Sequence, residues 1–398
     1  MRLEGLLASI LRGARPILQS VGSRVAWGRS KFEAAVGIRF FGPELDEPAK
    51  VSLQESWRGL ADAAEGEKQR TASSNGEVRA FTRGYVFSSQ GFRLPPPSPR
   101  WKELALGEGC LRVDEHLPCA TVQKNGVSVA LLGMAIDSEK RTSDSNLVAD
   151  NIADLILFEN RLDAIDEYAL WLGGRFVIIV GYNGQWRIHV DAMASRSCYW
   201  AVKHGQLFAA SHSVLVAREI EEFSTMRADW VLSHPDYASD AGKWLPGRIT
   251  PHDCTCLVSA NCVLSFDGEK AQHSRIFPLE KHQVSTGFSP TEVARILIGE
   301  LRTQASAWLN TADQSYLALT SGQDSLIVLL SCIDLFQAHF TKAMTYVFTE
   351  KKDALGARDL EGANFLALLS GLQHKVALVK PFIFEGRFAS AYKQTFPS

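Results

Sequence analysis

Two patterns of apolar residues divide the chain. Between about residues 170 and 270 the apolar runs are short and separated by turn residues. Arg175 to Val180 and Gln185 to Val190 flank Gly181-Tyr-Asn-Gly184, Cys198 to Val202 and Gln206 to Ala210 flank His204-Gly205, and Cys256 to Phe266 stops at Asp267-Gly268. Gly and Asn accept the backbone angles of tight hairpins, so this stretch predicts antiparallel strand pairs. From residue 289 the periods lengthen. Ser289-Pro290-Thr291-Glu292 offers an N-cap, a Pro at N1 and a Glu at N3, which predicts a helix running to about Leu309. Tyr316 to Leu319 then reads as a strand, Leu326 to Leu335 as a buried helix and Ala343 to Phe348 as a second strand. Ala357 to Ser370 carries apolar residues at Leu360, Ala363, Phe365, Leu366, Ala367 and Leu369, a helical spacing that Gly371 ends, and Lys375 to Val379 reads as a third strand. The fold class is therefore α+β followed by α/β: an antiparallel β domain, then a doubly wound parallel sheet whose ligands sit at the carboxyl ends of its strands.

The junction Thr320-Ser321-Gly322-Gln323-Asp324-Ser325 falls at such an end. Small residues let backbone N–H groups close around an anion at a helix N-terminus, where unpaired donors and the macrodipole favour negative charge. Asp324 would repel a bare phosphate. It makes sense with Mg²⁺ placed between the carboxylate and a triphosphate, because a hard cation takes oxygen ligands from both sides. A Walker loop would need a Lys that is missing here. On the residues alone, a helix capped by Asp324 or Ser325 after an ordinary strand is the other reading.

The segment resembles the pyrophosphate-binding loop of the ATP-pyrophosphatase family, Ser-Gly-Gly-x-Asp-Ser. Thr320 stands for the first Ser and Ser321 for the first Gly, while Gly322, Asp324 and Ser325 match. The resemblance implies ATP and Mg²⁺ as cofactors. Thr320, Ser321, Gly322, Gln323 and Ser325 would form the anion cradle, Asp324 would be the metal ligand, and Leu319 and Val347 would neighbour adenine by position. The following helix is similar to the family's Asp-x-x-x-Ala-x-x-x-Ala pattern ending in Gly-Leu-x-His, here Asp359, Ala363, Ala367, Gly371, Leu372 and His374; for His374, a surface residue beginning a strand is an equal alternative. Upstream, Leu172-Gly-Gly-Arg-Phe-Val-Ile-Ile-Val180 followed by Asp191-Ala-Met-Ala-Ser-Arg-Ser-Cys-Tyr-Trp200 resembles the amidotransferase domain of asparagine synthetases, with matches at Gly174, Phe176, Asp191, Arg196 and Tyr199. The two resemblances lie in the order of the asparagine synthetase-like family. They imply an Ntn-hydrolase-like domain over 77–285 and an ATP-pyrophosphatase domain over 286–398, after an extension of residues 1–76.

Departures from that family pattern shape the expected chemistry. A class II amidotransferase uses an N-terminal Cys with its own α-amino group as base. This chain begins Met1-Arg2-Leu3, and its seven Cys are Cys110, Cys119, Cys198, Cys254, Cys256, Cys262 and Cys332. Cys110 and Cys119, read as loop residues, would need proteolysis to reach a terminus. The oxyanion-hole Asn-Gly falls near Leu132-Gly133, where Leu offers no side-chain donor, and Asp144 corresponds either to a glutamine-binding Asp or to a solvated loop residue. The pattern resembles the β-lactam synthetases and lasso-peptide macrolactam cyclases, which adenylate a carboxylate for attack by an amine without glutaminase activity. Small-molecule carboxylate and amine substrates follow from that resemblance. The alternative is a non-catalytic nucleotide-binding or interaction protein on the same scaffold. Only 73 residues follow Ser325, without the family's second Gly-Glu-Gly-x-Asp-Glu-like motif. The expectation is a fragment or a shortened homologue whose incomplete sheet favours aggregation, a homo-oligomer or a partner subunit.

Composition adds few constraints. A net charge of −2 gives no reason to expect nucleic acid, 46% hydrophobic residues suffice for real cores, and no 18-residue apolar run marks a transmembrane helix. The expected location is cytoplasmic. Cys254-Thr-Cys256 lacks a second pair at zinc spacing. Residues 1–18 form a basic amphipathic stretch, 62–77 a charged linker and 94–99 a stiff Pro-rich turn.

Overall fold

The computed structural model describes residues 80–235, 245–278, 287–311, 313–348 and 354–379. The amphipathic stretch at 1–18 and the linker at 62–77 lie outside the described residues. The described chain separates into two units, within 78–284 and within 285–382.

The first unit contains β1 (Tyr85–Ser88), β2 (Trp101–Leu106), β3 (Gly109–Asp114), β4 (Cys119–Lys124), β5 (Val127–Asp137), α1 (Ser145–Glu159), α2 (Ile165–Leu170), β6 (Leu172–Tyr182), β7 (Gln185–Val190), β8 (Tyr199–Lys203), β9 (Gln206–Ala210), α3 (Ser213–Ile220), α4 (Met226–Ser233), β10 (Cys256–Leu257), β11 (Cys262–Phe266) and β12 (Ala271–Arg275). They form two six-stranded sheets, ordered β10-β8-β9-β1-β3-β2 and β12-β11-β7-β6-β5-β4. Every pairing in them is antiparallel.

The period of two along each strand distributes its side chains between two cores. Tyr85 and Phe87 of β1 and Leu207 and Ala209 of β9 meet Ala130, Leu132, Val177, Ile179 and Ile188 from the other sheet. The alternate residues Val129, Leu131, Phe176 and Ile178 pack under Val148, Ile152 and Ile156 of α1. Val86, Phe208 and Ala210 pack under Leu215, Val216 and Ile220 of α3. The layers run helix, sheet, sheet, helix. This is why Phe176-Val-Ile-Ile-Val180 is apolar at every position instead of alternating: both its faces are covered.

The hairpins over 175–190 and 198–210 form as expected, the second starting at Tyr199 and not Cys198. Cys256 to Phe266 is not one strand. Cys256 and Leu257 pair with β8 in one sheet, while Cys262 to Phe266 pair with β7 and β12 in the other. The chain changes sheets across 258–261, where Val258 enters the shared core and Asn261 takes a φ of 59°.

In the second unit, α5 (Pro290–Leu309) has the predicted capping box: Glu292 N donates to Ser289 Oγ at 3.3 Å and Ser289 N donates to Glu292 Oε2 at 2.7 Å. It is followed by β13 (Tyr316–Ala318), α6 (Gln323–Ala338), β14 (Lys342–Phe348), α7 (Ala354–Leu369) and β15 (His374–Val379). The three strands are parallel in the order β13-β14-β15. Leu319, Leu326, Leu329, Phe336, Ala343, Ala363, Leu366 and Ala367 form one core between the sheet and its helices. On the other sheet face, Tyr316 is 47% and Tyr346 56% exposed, so among the described residues the helices cover one face of a small parallel sheet, and the doubly wound arrangement expected from the βαβαβ pattern is not seen.

Two outcomes follow. Phe176→Ala, which empties a fully buried site under α1, should cost about 3–5 kcal/mol in urea unfolding. Burial also pulls the pKa values of His189, His252 and His212 down, His212 to about 4. The unfolded chain takes up these protons first, so for His212 the stability is full above about pH 6.5 and falls towards pH 4 by up to about 1.4 kcal/mol per pH unit, and His189 and His252 act in the same direction. His212→Gln should make that acid limb shallower, as read from unfolding midpoints across the pH range.

Candidate functional site

The Thr320 to Ser325 segment leaves the carboxyl end of β13 and enters α6, with Gly322 at the N-cap. Gly carries no side chain, and no other group caps this helix end. The loop folds on itself: Gly322 N donates to Thr320 Oγ1 at 3.1 Å, Thr320 N donates to Ser325 Oγ at 3.2 Å, and Ser325 Oγ lies 3.2 Å from the carbonyls of Thr320 and Gly322. Asp324 sits exposed in the first turn, and Gln323, also exposed, is the first residue of α6. Ser321 Oγ donates to Asp359 Oδ1 of α7 at 2.7 Å. Gly362, one turn along α7, makes this approach possible, since a methyl group there would meet Cβ of Ser321 at 2.6 Å. In sequence Asp359 stands out only as the first residue of the family-like helix pattern. Its role as a tether of the loop, and that of Gly362, needed the fold.

Leu319 is wholly buried, so its side chain belongs to the core and only its backbone borders the loop. Its N–H donates to Met344 O at 2.9 Å and its carbonyl accepts from Thr345 Oγ1 at 2.7 Å. Val347 lies farther along β14, opposite Leu378 of β15. His374 is not a free surface residue. Its Nε2 is 2.8 Å from Thr345 Oγ1 and its Nδ1 is 3.2 Å from Asn364 Oδ1, and burial lowers its pKa. The imidazole thus links β14, β15 and α7 beneath the loop.

In the first unit, Phe176, Asp191 and Arg196 of the amidotransferase resemblance come together, while Gly174 pairs with Ala135 and Tyr199 lies on β8 of the other sheet. The buried carboxylate of Asp191 organises 191–196: Oδ1 accepts from Met193 N at 3.2 Å and from Ser195 N and Ser195 Oγ at 2.9 Å, and Oδ2 accepts from Arg196 N at 3.1 Å. Asp191 N donates to Phe176 O at 3.1 Å. Gly133 has a φ of 98°, and a Cβ there would lie 2.2 Å from Arg175 O and 2.8 Å from Arg196 Nε. The Leu132 side chain is fully buried between the sheets, so no amide donor stands at that position. Asp144 is the N-cap of α1, accepting from Asn146 N at 2.9 Å.

Cys110 and Cys119 are strand residues of β3 and β4, not loop residues, which corrects the sequence expectation. Buried Arg112 and Asp114 in β3 and exposed Thr121 and Gln123 in β4 interrupt the apolar pattern and hid these strands, although Asn125-Gly126, with φ angles of 47° and 84°, marks the β4–β5 hairpin. Burial pushes both thiols up to about 11, so both are protonated near neutral pH.

No family model matches this chain, and no curated protein matches it. Among solved structures it is similar to glutamine phosphoribosylpyrophosphate amidotransferase from B. subtilis complexed with ADP and GMP, with 12% identity, a TM-score of 0.29, and coverage of 74% of this chain and 59% of that one. It is also similar to a structure described as the allosteric regulatory enzyme of purine biosynthesis, at 10% identity, a TM-score of 0.29 and the same coverage. The matched region spans 59% of each of those chains. A likeness at this level adds nothing to what the residues themselves show. No helix among the described residues is long and apolar enough to cross a membrane.

Asp191→Ala should cost about 3 kcal/mol or more, because it strands several backbone donors that the carboxylate now satisfies. Urea denaturation would measure the loss, and a change within 0.5 kcal/mol, about the size of an ordinary surface substitution, would show that 191–196 holds its shape without the carboxylate.

Proposed function

We propose that the second unit binds Mg·ATP through Thr320 to Ser325 and that the protein is an ATP-dependent amide-forming ligase of the asparagine synthetase-like type, without glutaminase activity of its own. The observation that carries the reading is the placement of Thr320 to Ser325. A Gly-capped helix start lies at the carboxyl end of a parallel strand, with a free carboxylate on its first turn and Asp359 fixing Ser321. That is the end at which open parallel α/β sheets place their ligands.

The residues present fit a magnesium ion of the kind held by one carboxylate and phosphate oxygens. Asp324 is exposed, and no group of three or more His, Cys, Asp or Glu side chains forms a self-sufficient metal site among the described residues. Asp324 would hold the ion, which would neutralise charge on a departing pyrophosphate. The N–H groups at the start of α6 would face the phosphates, and Ser325 would fix the loop's turn. Adenylation would replace a carboxylate's poor leaving group by AMP, which an amine then displaces.

The antiparallel two-sheet core with a helix layer on each side supports an Ntn-hydrolase-like reading of the first unit. Leu132 in the core and two thiols held in strands support its lack of glutaminase activity. Carboxylate and amine substrates, and a partner subunit or second copy against the exposed sheet face, belong to the same proposal.

Calorimetry tests the nucleotide site. Wild type should bind ATP more tightly with Mg²⁺ than without, and Asp324→Ala should abolish that difference while leaving Mg²⁺-free binding nearly unchanged. Equal affinities in all four combinations would remove the assignment of Asp324. Incubation with glutamine should release no glutamate above a heat-inactivated control, since losing a nucleophile and an oxyanion donor each costs orders of magnitude.

A further inference from the structure

Three arginines that form no ion pair among the described residues meet at one end of the first unit. Arg83 precedes β1, Arg175 lies on β6 and Arg196 follows the Asp191 loop. Arg196 Nη1 is 3.4 Å from Arg83 O, and Arg175 Nη2 donates to Ser195 O at 3.2 Å, next to Arg196 in sequence. Elsewhere in the unit Arg112, Arg187 and Arg227 sit against Glu103, Asp166 and Asp253. Among the described residues no ion pair of that kind holds these three, although the Asp191 carboxylate accepts from Arg196 N at 3.1 Å and its charge favours the Arg196 cation.

The arrangement is held in place at some cost. Arg83 has a φ of 58°, in the left-handed region, and its N–H is fixed by Asp114 Oδ1 at 2.8 Å. Strained residues of this kind persist where the surroundings over-determine them, often at ligand sites. Gly133 supplies the room for the Arg196 guanidinium, whose Nε is buried and makes no hydrogen bond. Burial lowers the Arg196 pKa, and the positive fields of Arg175 and Arg83 add to that, yet an arginine stays charged. Three positive charges gathered around one carboxylate, Asp191, leave an excess of positive charge, and an anion between them relieves their repulsion.

We infer that Arg83, Arg175 and Arg196 form a binding site for a multiply charged oxyanion, a phosphate ester or a polycarboxylate. Planar guanidinium forks match the oxygen spacing of both chemistries. One fork suffices for a single carboxylate, whereas three suit a ligand with two or more negative charges. The site is separate from the nucleotide reading, since all three residues lie in the first unit.

The test uses the full chain with ¹⁵N-labelled arginine, following the Nε–Hε resonances while inorganic phosphate or citrate is titrated at constant ionic strength. The Arg196 signal should shift and saturate below about 10 mM, an affinity of only a few kcal/mol. Saturation by phosphate alone assigns a phosphate ester, by citrate alone a polycarboxylate, and by both a site for either. The Arg83→Gln/Arg175→Gln variant, which changes two exposed side chains, should bind at least about tenfold more weakly, since two charge-assisted contacts are lost. Arg196→Lys, followed through Arg83 and Arg175, should also bind more weakly because it keeps the charge but loses the fork. Asp324→Ala should bind as wild type does. A shift that never saturates, one that persists unchanged in the double variant, or displacement by an equal concentration of net-neutral glutamine would overturn the inference.

Discussion

Burial of the central strands on both faces is the constraint on which the first unit depends. β5 and β6 carry one row of side chains into the space between the sheets and the other under α1, so neither strand has a solvent face. A shift of one residue in their pairing would exchange the two rows, and with them two differently shaped cores. Register is therefore fixed tightly, and so is the position of everything at the strand ends. Gly133 pairs with Phe176, and the Asp191 loop hangs from the carbonyl of that same Phe176. Arg196, held in that loop by Asp191, lies over Gly133. The geometry at this end of the sandwich is set by packing several residues away.

The second unit solves a similar problem with fewer parts. Its loop is short and rich in small residues, which gives it little packing of its own. Order comes from below and from the side: Thr345 holds the Leu319 carbonyl, His374 and Asn364 continue that chain of contacts, and Asp359 holds Ser321. Charge stays available at Asp324 because none of these contacts consumes it.

The sequence reading was strongest where local chemistry and tertiary placement agree. The capping box at Ser289 and the 183–184 and 204–205 turns are legible because each is written in a few adjacent residues, and the βαβαβ succession of the second unit is legible from its alternating apolar periods. It failed where a strand's role depends on a distant neighbour. Cys110 and Cys119 looked like loop residues because their strands are short and mix apolar with charged or polar side chains, and only pairing with β1, β2 and β5 makes them strands. Leu319 looked like a pocket residue by position, but the inward side of its strand belongs to the core. The arginine cluster was invisible for the same reason, as its members are separated by 92 and 21 positions along the chain.

The passage of residues 256 to 266 from one sheet to the other has a mechanical meaning. Its first two residues are stitched to β8, the Val258 amide is held by the Cys198 carbonyl, and its last five residues are stitched between β7 and β12. The segment acts as a strap across the layers. Neither sheet can slide or peel from the other without tearing hydrogen bonds in both, so the sandwich should open as one cooperative body and not as two separable leaves.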